Sequence, residues 1–181
     1  MVRDDLTIEQ YHAGEGISKS DLDLIHKSPA HYKAKCAGAD SRAFFIGEAA
    51  HSAILEPEKF AAAYQVLPED FNGRTKEGKA ILADIELQGK KALKAEDAAM
   101  ISGMAAAVMA QPIAKELLSG AQCELSGFAD MAGVLCKCRP DVWNERRKVI
   151  ADLKTTADAS DLKIGFALQM KKQPRRSDFS V

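Results

Sequence analysis

The chain reads as an α+β domain of 181 residues with a mixed α/β texture. Three observations lead there. Helical periodicity with recognisable start signals fills the first two thirds, short β-rich runs split by turn residues fill the stretch from Cys123 to Thr155, and those runs follow one another directly. Helices first and a meander second predict a helical portion packed on a small, mainly antiparallel sheet. Apolar residues make up 46% of the chain and the net charge is −1, the composition of a folded protein of ordinary domain size. One domain over 1–181 is expected, with 171–181 a disordered basic tail. A net charge this small gives no global case for a polyanion partner, so any such affinity needs a local patch or a bound metal.

The elements follow in order. Ser18-Lys19-Ser20-Asp21 has the form of a capping box ahead of Leu22-Asp23-Leu24-Ile25-His26, and Ser28-Pro29 opens a second helix with proline in its first turn. The pair predicts a helical corner, and the second segment, His31 to Cys36, is too short to argue for DNA reading. Arg42 to Leu55 is apolar around most of its circumference and predicts a buried helix, with Gly47 one turn before His51 on the same side. Such a glycine leaves room for a backbone or a bulky group.

Phe60 to Gly89 is mixed and polar, with a loop at Asn72-Gly73-Arg74-Thr75, a mobile segment, and a helix from Lys76 to Leu87. Ala95 to Met109 predicts a helix, acidic in its first turn, broken at Pro112 and resumed to Leu118 before Ser119-Gly120 stops it. Met100, Met104 and Met109 are expected to fill the core. Cys123–Ala129 and Val134–Pro140 read as strands joined by the turn Asp130-Met131-Ala132-Gly133, and Lys148 to Thr155 as a third strand. Of the four cysteines, Cys36 and Cys123 lie far from the Cys136-x-Cys138 pair, so no two-knuckle zinc pattern exists and all four are expected as reduced, small buried hydrophobes. The start of the sequence shows no charged-then-apolar leader and no run is long enough to span a bilayer, so a cytoplasmic location and no membrane are expected.

Chemistry concentrates near the end. Arg139-Pro140-Asp141 is followed by Val149-Ile150-Ala151-Asp152-Leu153-Lys154. Strand alternation puts Val149, Ala151 and Leu153 on one face and Asp152 with Lys154 on the other. Asp141 and Asp152 offer the hard oxygens that Mg²⁺ prefers. Lys154 would orient or deprotonate an attacking water, or face the charge building on a phosphate, and the sequence leaves that choice open. Glu124, sharing a face with Ser126 and Phe128, joins the acidic cluster in one register.

The ordered pieces Ile17-Ser18-Lys19-Ser20, Ser28-Pro29-Ala30-His31-Tyr32, Ile46-Gly47-Glu48-Ala49-Ala50-His51, Leu55-Glu56-Pro57, Cys138-Arg139-Pro140-Asp141 and Asp152-Leu153-Lys154-Thr155-Thr156 resemble the exonuclease VIII (RecE-type) branch of the PD-(D/E)XK nucleases found in prophages. The resemblance implies a restriction-endonuclease-like core and a Mg²⁺-dependent exodeoxyribonuclease, with Mn²⁺ as a substitute. It implies digestion of linear double-stranded DNA from 5′ to 3′ in recombination, with a strand-annealing protein as partner and a homo-oligomeric ring as assembly. It implies metal ligation by His51, Asp141, Asp152 and the Leu153 carbonyl, a catalytic amine at Lys154 and an acidic first-strand residue at Glu124. Periodicity alone reads His51 as a core residue. The family's Gln and Tyr one turn apart have no counterpart, because Gln169 is followed at that spacing by Gln173. A shortened C-terminus is therefore expected, and with it the alternative of a remnant that folds and binds DNA or a partner without cleavage.

Overall fold

The computed structural model describes residues 1–35 and 41–156. Contacts divide them into two compact units, one of residues 1–35 and 120–152, the other of 41–119 and 153–156. The expected basic tail at 171–181, Gln169 and Cys36 lie outside the described residues.

The first unit begins with β1 (Val2–Arg3), α1 (Ile8–Ala13), α2 (Lys19–Lys27) and α3 (Pro29–Lys33). Ser18 builds the expected capping box: its hydroxyl accepts from the Asp21 amide while the Asp21 carboxylate accepts from the Ser18 amide at 2.9 Å. Ser28 ends α2 and caps α3, its hydroxyl accepting from the His31 amide, so the corner needs no further linker.

In the second unit, α4 (Arg42–Leu55), α5 (Pro57–Ala63), β2 (Tyr64–Val66), α6 (Lys76–Leu87), β3 (Lys91–Leu93), α7 (Ala95–Ala110) and α8 (Pro112–Leu118) follow. β2 and β3 pair in parallel, a pair the mixed polarity of 60–89 did not suggest. The core joins Ala49, Ala50, Tyr64, Leu93 and Ile101, with Phe45, Phe60 and Met104 packed against it. Phe60 stacks on Tyr64 at 4.9 Å between centroids and Phe45 meets it edge-on at 5.9 Å. α4 is less buried than its composition suggests, since Phe44 is 64% exposed. Met100 and Met109 are also exposed, which leaves Met104 as the core filler of the three.

The loop at Asn72 to Thr75 is bound into a turn. The Asn72 side chain accepts from the Arg74 amide, the Asn72 carbonyl accepts from the Thr75 hydroxyl, and Thr75 caps α6 through the Gly78 amide. A Cβ at Gly78 would fall 2.0 Å from the Asn72 carbonyl oxygen, so only glycine fits there. The axes of α7 and α8 meet at 91°, and no single described helix is long and apolar enough to cross a membrane.

The chain returns to the first unit through β4 (Gln122–Cys123), β5 (Ser126–Met131), β6 (Val134–Cys138), β7 (Val142–Asn144) and β8 (Val149–Ala151). The single meander resolves into two antiparallel three-stranded sheets, ordered β1-β5-β6 and β4-β7-β8. Ala132 and Gly133, at φ 55° and 81°, make the two-residue turn of the β5–β6 hairpin. Cys123 and Cys136 are half-buried and Cys138 is exposed, so none of the three is the fully buried hydrophobe expected, though all are free thiols.

Candidate metal centre

β6 stops at Cys138, and the chain bends through Arg139, Pro140 and Asp141 before β7 begins. Asp141 is thus not a continuation of the β6 face. It stands one residue ahead of Val142, which pairs with Ala151 on one side and Cys123 on the other. One step further in the same register sets Asp141 opposite Asp152 in β8's continuation and opposite Glu124 in β4's. The amide of Glu124 donates to the Asp141 carbonyl at 3.1 Å, which carries the β4–β7 register that one step on. The three acids therefore flank one end of the sheet, Glu124 just after β4, Asp141 just before β7 and Asp152 just after β8, opposite the Glu145–Lys148 turn.

Such a row is costly on its own, because like charges directly opposite on neighbouring strands repel. Asp141 is buried, and one oxygen of it lies within 4.8 Å of one from Glu124. Asp152 is exposed at the strand end. Glu124 departs from strand geometry altogether, with φ 54° in the left-handed region that a side chain normally avoids. It breaks the run into β4 and β5, which strand alternation could not signal. The expected neighbour Ser126 does share its surroundings. Arg139 donates to the Glu124 carboxylate at 3.0 Å and to the Ser126 hydroxyl at 2.6 Å.

Arg139 was legible as part of a motif, but its role was not. It also donates to the Leu6 carbonyl at 3.1 Å, a partner 133 residues distant in sequence. Lys137, two residues earlier, is buried and donates to the carbonyls of Tyr11 at 2.9 Å, His12 at 3.3 Å and Gly14 at 2.5 Å. It thereby closes the carbonyl end of α1.

The other candidates belong to the second unit. His51 is half-buried on α4, four residues after Gly47. A Cβ on Gly47 would stand 3.3 Å from the Thr155 hydroxyl, so the room predicted at this glycine is taken by the segment following Leu153. The third strand is shorter than expected, ending at Ala151, yet its alternation continues. Ala151 and Leu153 are buried while Asp152 and Lys154 are exposed. The unit boundary falls at the Asp152–Leu153 peptide bond, inside the motif.

Acidic oxygens gathered at a sheet end and followed by an Asp-x-Lys segment, on an α+β chain, define a protein of the PDDEXK-like class. This chain belongs to the family described as "PDDEXK-like domain of unknown function (DUF3799)", whose model matches residues 18–171. That membership supports the PD-(D/E)XK nuclease superfamily and suggests a nuclease. No curated protein matches the chain.

Proposed function

We propose that the protein is a divalent-metal-dependent exodeoxyribonuclease that hydrolyses phosphodiester bonds of linear double-stranded DNA. The observation that supports this most is the row Glu124, Asp141, Asp152 across one sheet end, set by the pairing of β4, β7 and β8. The donor set fits a hard cation, Mg²⁺ or Mn²⁺, since carboxylates on adjacent strands need a positive charge between them and hard cations take oxygen ligands. Asp141, Asp152 and Glu124 would hold it, and the RecE-type resemblance adds the Leu153 carbonyl and His51 as ligands. When bound, such a cation polarises a phosphate oxygen and lowers the pKa of water.

The chain's own groups do the rest. Asp141, buried beside Glu124, fixes the acidic end of the site. Lys154, two residues beyond Asp152 and on the same side of the strand's continuation, orients or deprotonates the attacking water or meets the charge that grows on the phosphate. The 5′ to 3′ direction, a recombination role of prophage origin, a strand-annealing partner and a ring assembly come with the RecE-type resemblance and are part of this proposal.

The test is digestion of linear duplex labelled at either the 5′ or the 3′ end, beside a covalently closed circle, in Mg²⁺ and in Mn²⁺. Linear DNA should shorten from its 5′ ends, the circle should survive, and Asp152→Ala should abolish the reaction. A folded wild type that leaves linear duplex intact with both metals overturns the proposal.

A further inference from the structure

We infer that Arg139 is the positioning residue of the acid row, and that the segment from Leu6 to Gly14, which precedes the family-matched span of 18–171, holds Arg139 in place. This rests on the metal-site reading above.

The Arg139 side chain is 8% exposed, and its Nε and Nη1 both donate to buried or half-buried acceptors. Nε donates to Glu124 at 3.0 Å, Nη1 donates to Ser126 Oγ at 2.6 Å and to the Leu6 carbonyl at 3.1 Å, and the guanidinium lies 5.9 Å from the Tyr11 ring centroid. Ser126 is fully buried, so its hydroxyl is a fixed anchor. A guanidinium has its donors in a rigid planar fork, so two acceptors on Nη1 fix the plane of the group and with it the direction of Nε.

The Nε direction belongs to Glu124, whose φ of 54° is a conformation its backbone does not favour. The Arg139 charge holds the carboxylate toward the Asp141 side of the row and offsets repulsion between the two acids before any cation arrives. The leading segment is fastened by the neighbouring cation too. Lys137 binds three of its carbonyls and stands 5.1 Å from the same Tyr11 ring, so Tyr11 lies under both cations.

The experiment is Mn²⁺ titration of the full chain by calorimetry, with Arg139→Gln, Glu124→Gln and the double variant, each checked for a cooperative thermal transition. Groups that orient metal ligands typically change affinity 10- to 100-fold, so Arg139→Gln should weaken Mn²⁺ binding by about tenfold. It should add little once Glu124 is already glutamine, because a residue acting only through Glu124 has nothing left to position. Ser126→Ala removes one anchor and should weaken binding by about threefold in the same dependent manner, which carries the test if Arg139→Gln does not fold. Equal affinities for wild type and variants, or an Arg139 effect undiminished without the Glu124 carboxylate, overturn this inference alone. A wild type that takes up no Mn²⁺ overturns the metal-site reading and this inference with it.

Discussion

The two units bury different kinds of group. In the unit of α4 to α8 the centre is apolar, Ala49, Ala50, Leu93 and Ile101 around the Tyr64 ring, and Asp97 is its one buried charge among the described residues. In the unit of the antiparallel sheets, Asp21, Ser126, Lys137, Asp141 and Asn144 are all buried. Burying apolar surface is favourable without direction, whereas a buried polar group is tolerated only when its partners are in place. The unit of α4 to α8 is therefore secured by packing and the unit of the sheets by named hydrogen bonds. The candidate site draws its acids from the unit of the sheets, where direction matters.

Substitutions can break or sharpen that contrast. Leu93→Ala, at a fully buried position, should cost about 2–5 kcal/mol in urea denaturation. Lys137→Met keeps the length but leaves three carbonyls of the α1 end without their donor, and should cost about 1–3 kcal/mol. If Lys137→Met proves the more damaging in the same assay, the polar unit is the stability-limiting one and the contrast reverses.

A smaller effect should appear in acid. Burial pushes the Asp21 carboxyl up, but hydrogen bonds from Lys35 and Ser18 outweigh it and hold it at about 2. A carboxyl held below its unfolded value of 3.8 adds stability that is fully present above pH 4 and is lost as pH falls toward 2. Thermal midpoints of the wild type should drop across that window, and those of Asp21→Asn should drop less.

The smallest signal belongs to the apolar unit. Burial, and next the Glu48 carboxylate, push the Tyr64 phenol up to about 12. Because the folded state keeps that proton longer than the unfolded one, its contribution is intact below pH 10 and fades as pH rises through 12. Phenolate absorbance should show one tyrosine ionising near pH 12 in the wild type and missing in Tyr64→Phe. Ionisation of every tyrosine near pH 10 would mean that the aromatic centre is open to water.

Local signals made the helices legible. Ser18 and Ser28 caps, the acidic first turn at Glu96 and Asp97, and the break at Pro112 fixed ends that agree with α2, α3, α7 and α8 to within a residue or two. The turn at Asp130 to Gly133 was equally plain. Pairings made over long distances were not. Val2–Arg3 forms a strand only because Ser126 and Gly127 lie beside it, and Val142-Trp143-Asn144 is too short to show a period next to a proline and a polar turn. Asp141 and Asp152 could be picked out by type, but that they flank the same end of one sheet is a property of register. Glu124 was placed by alternation on a strand face, and its left-handed backbone carries no sequence signature short of glycine or asparagine.

That backbone has a consequence for the order in which substitutions can accumulate. A glutamate at φ 54° carries strain of about 1–2 kcal/mol that glycine would not. While Arg139 is present, Glu124→Gly gains that relief but removes the carboxylate that accepts from the nearly buried Nε, so the change destabilises. Once Arg139 is glutamine, that charged partner is gone, the strain relief remains, and the same change should raise the thermal midpoint. A single substitution that reverses sign with its partner means a lineage losing the arginine first is then free to drift to glycine at 124, while one that keeps it is held at the acid.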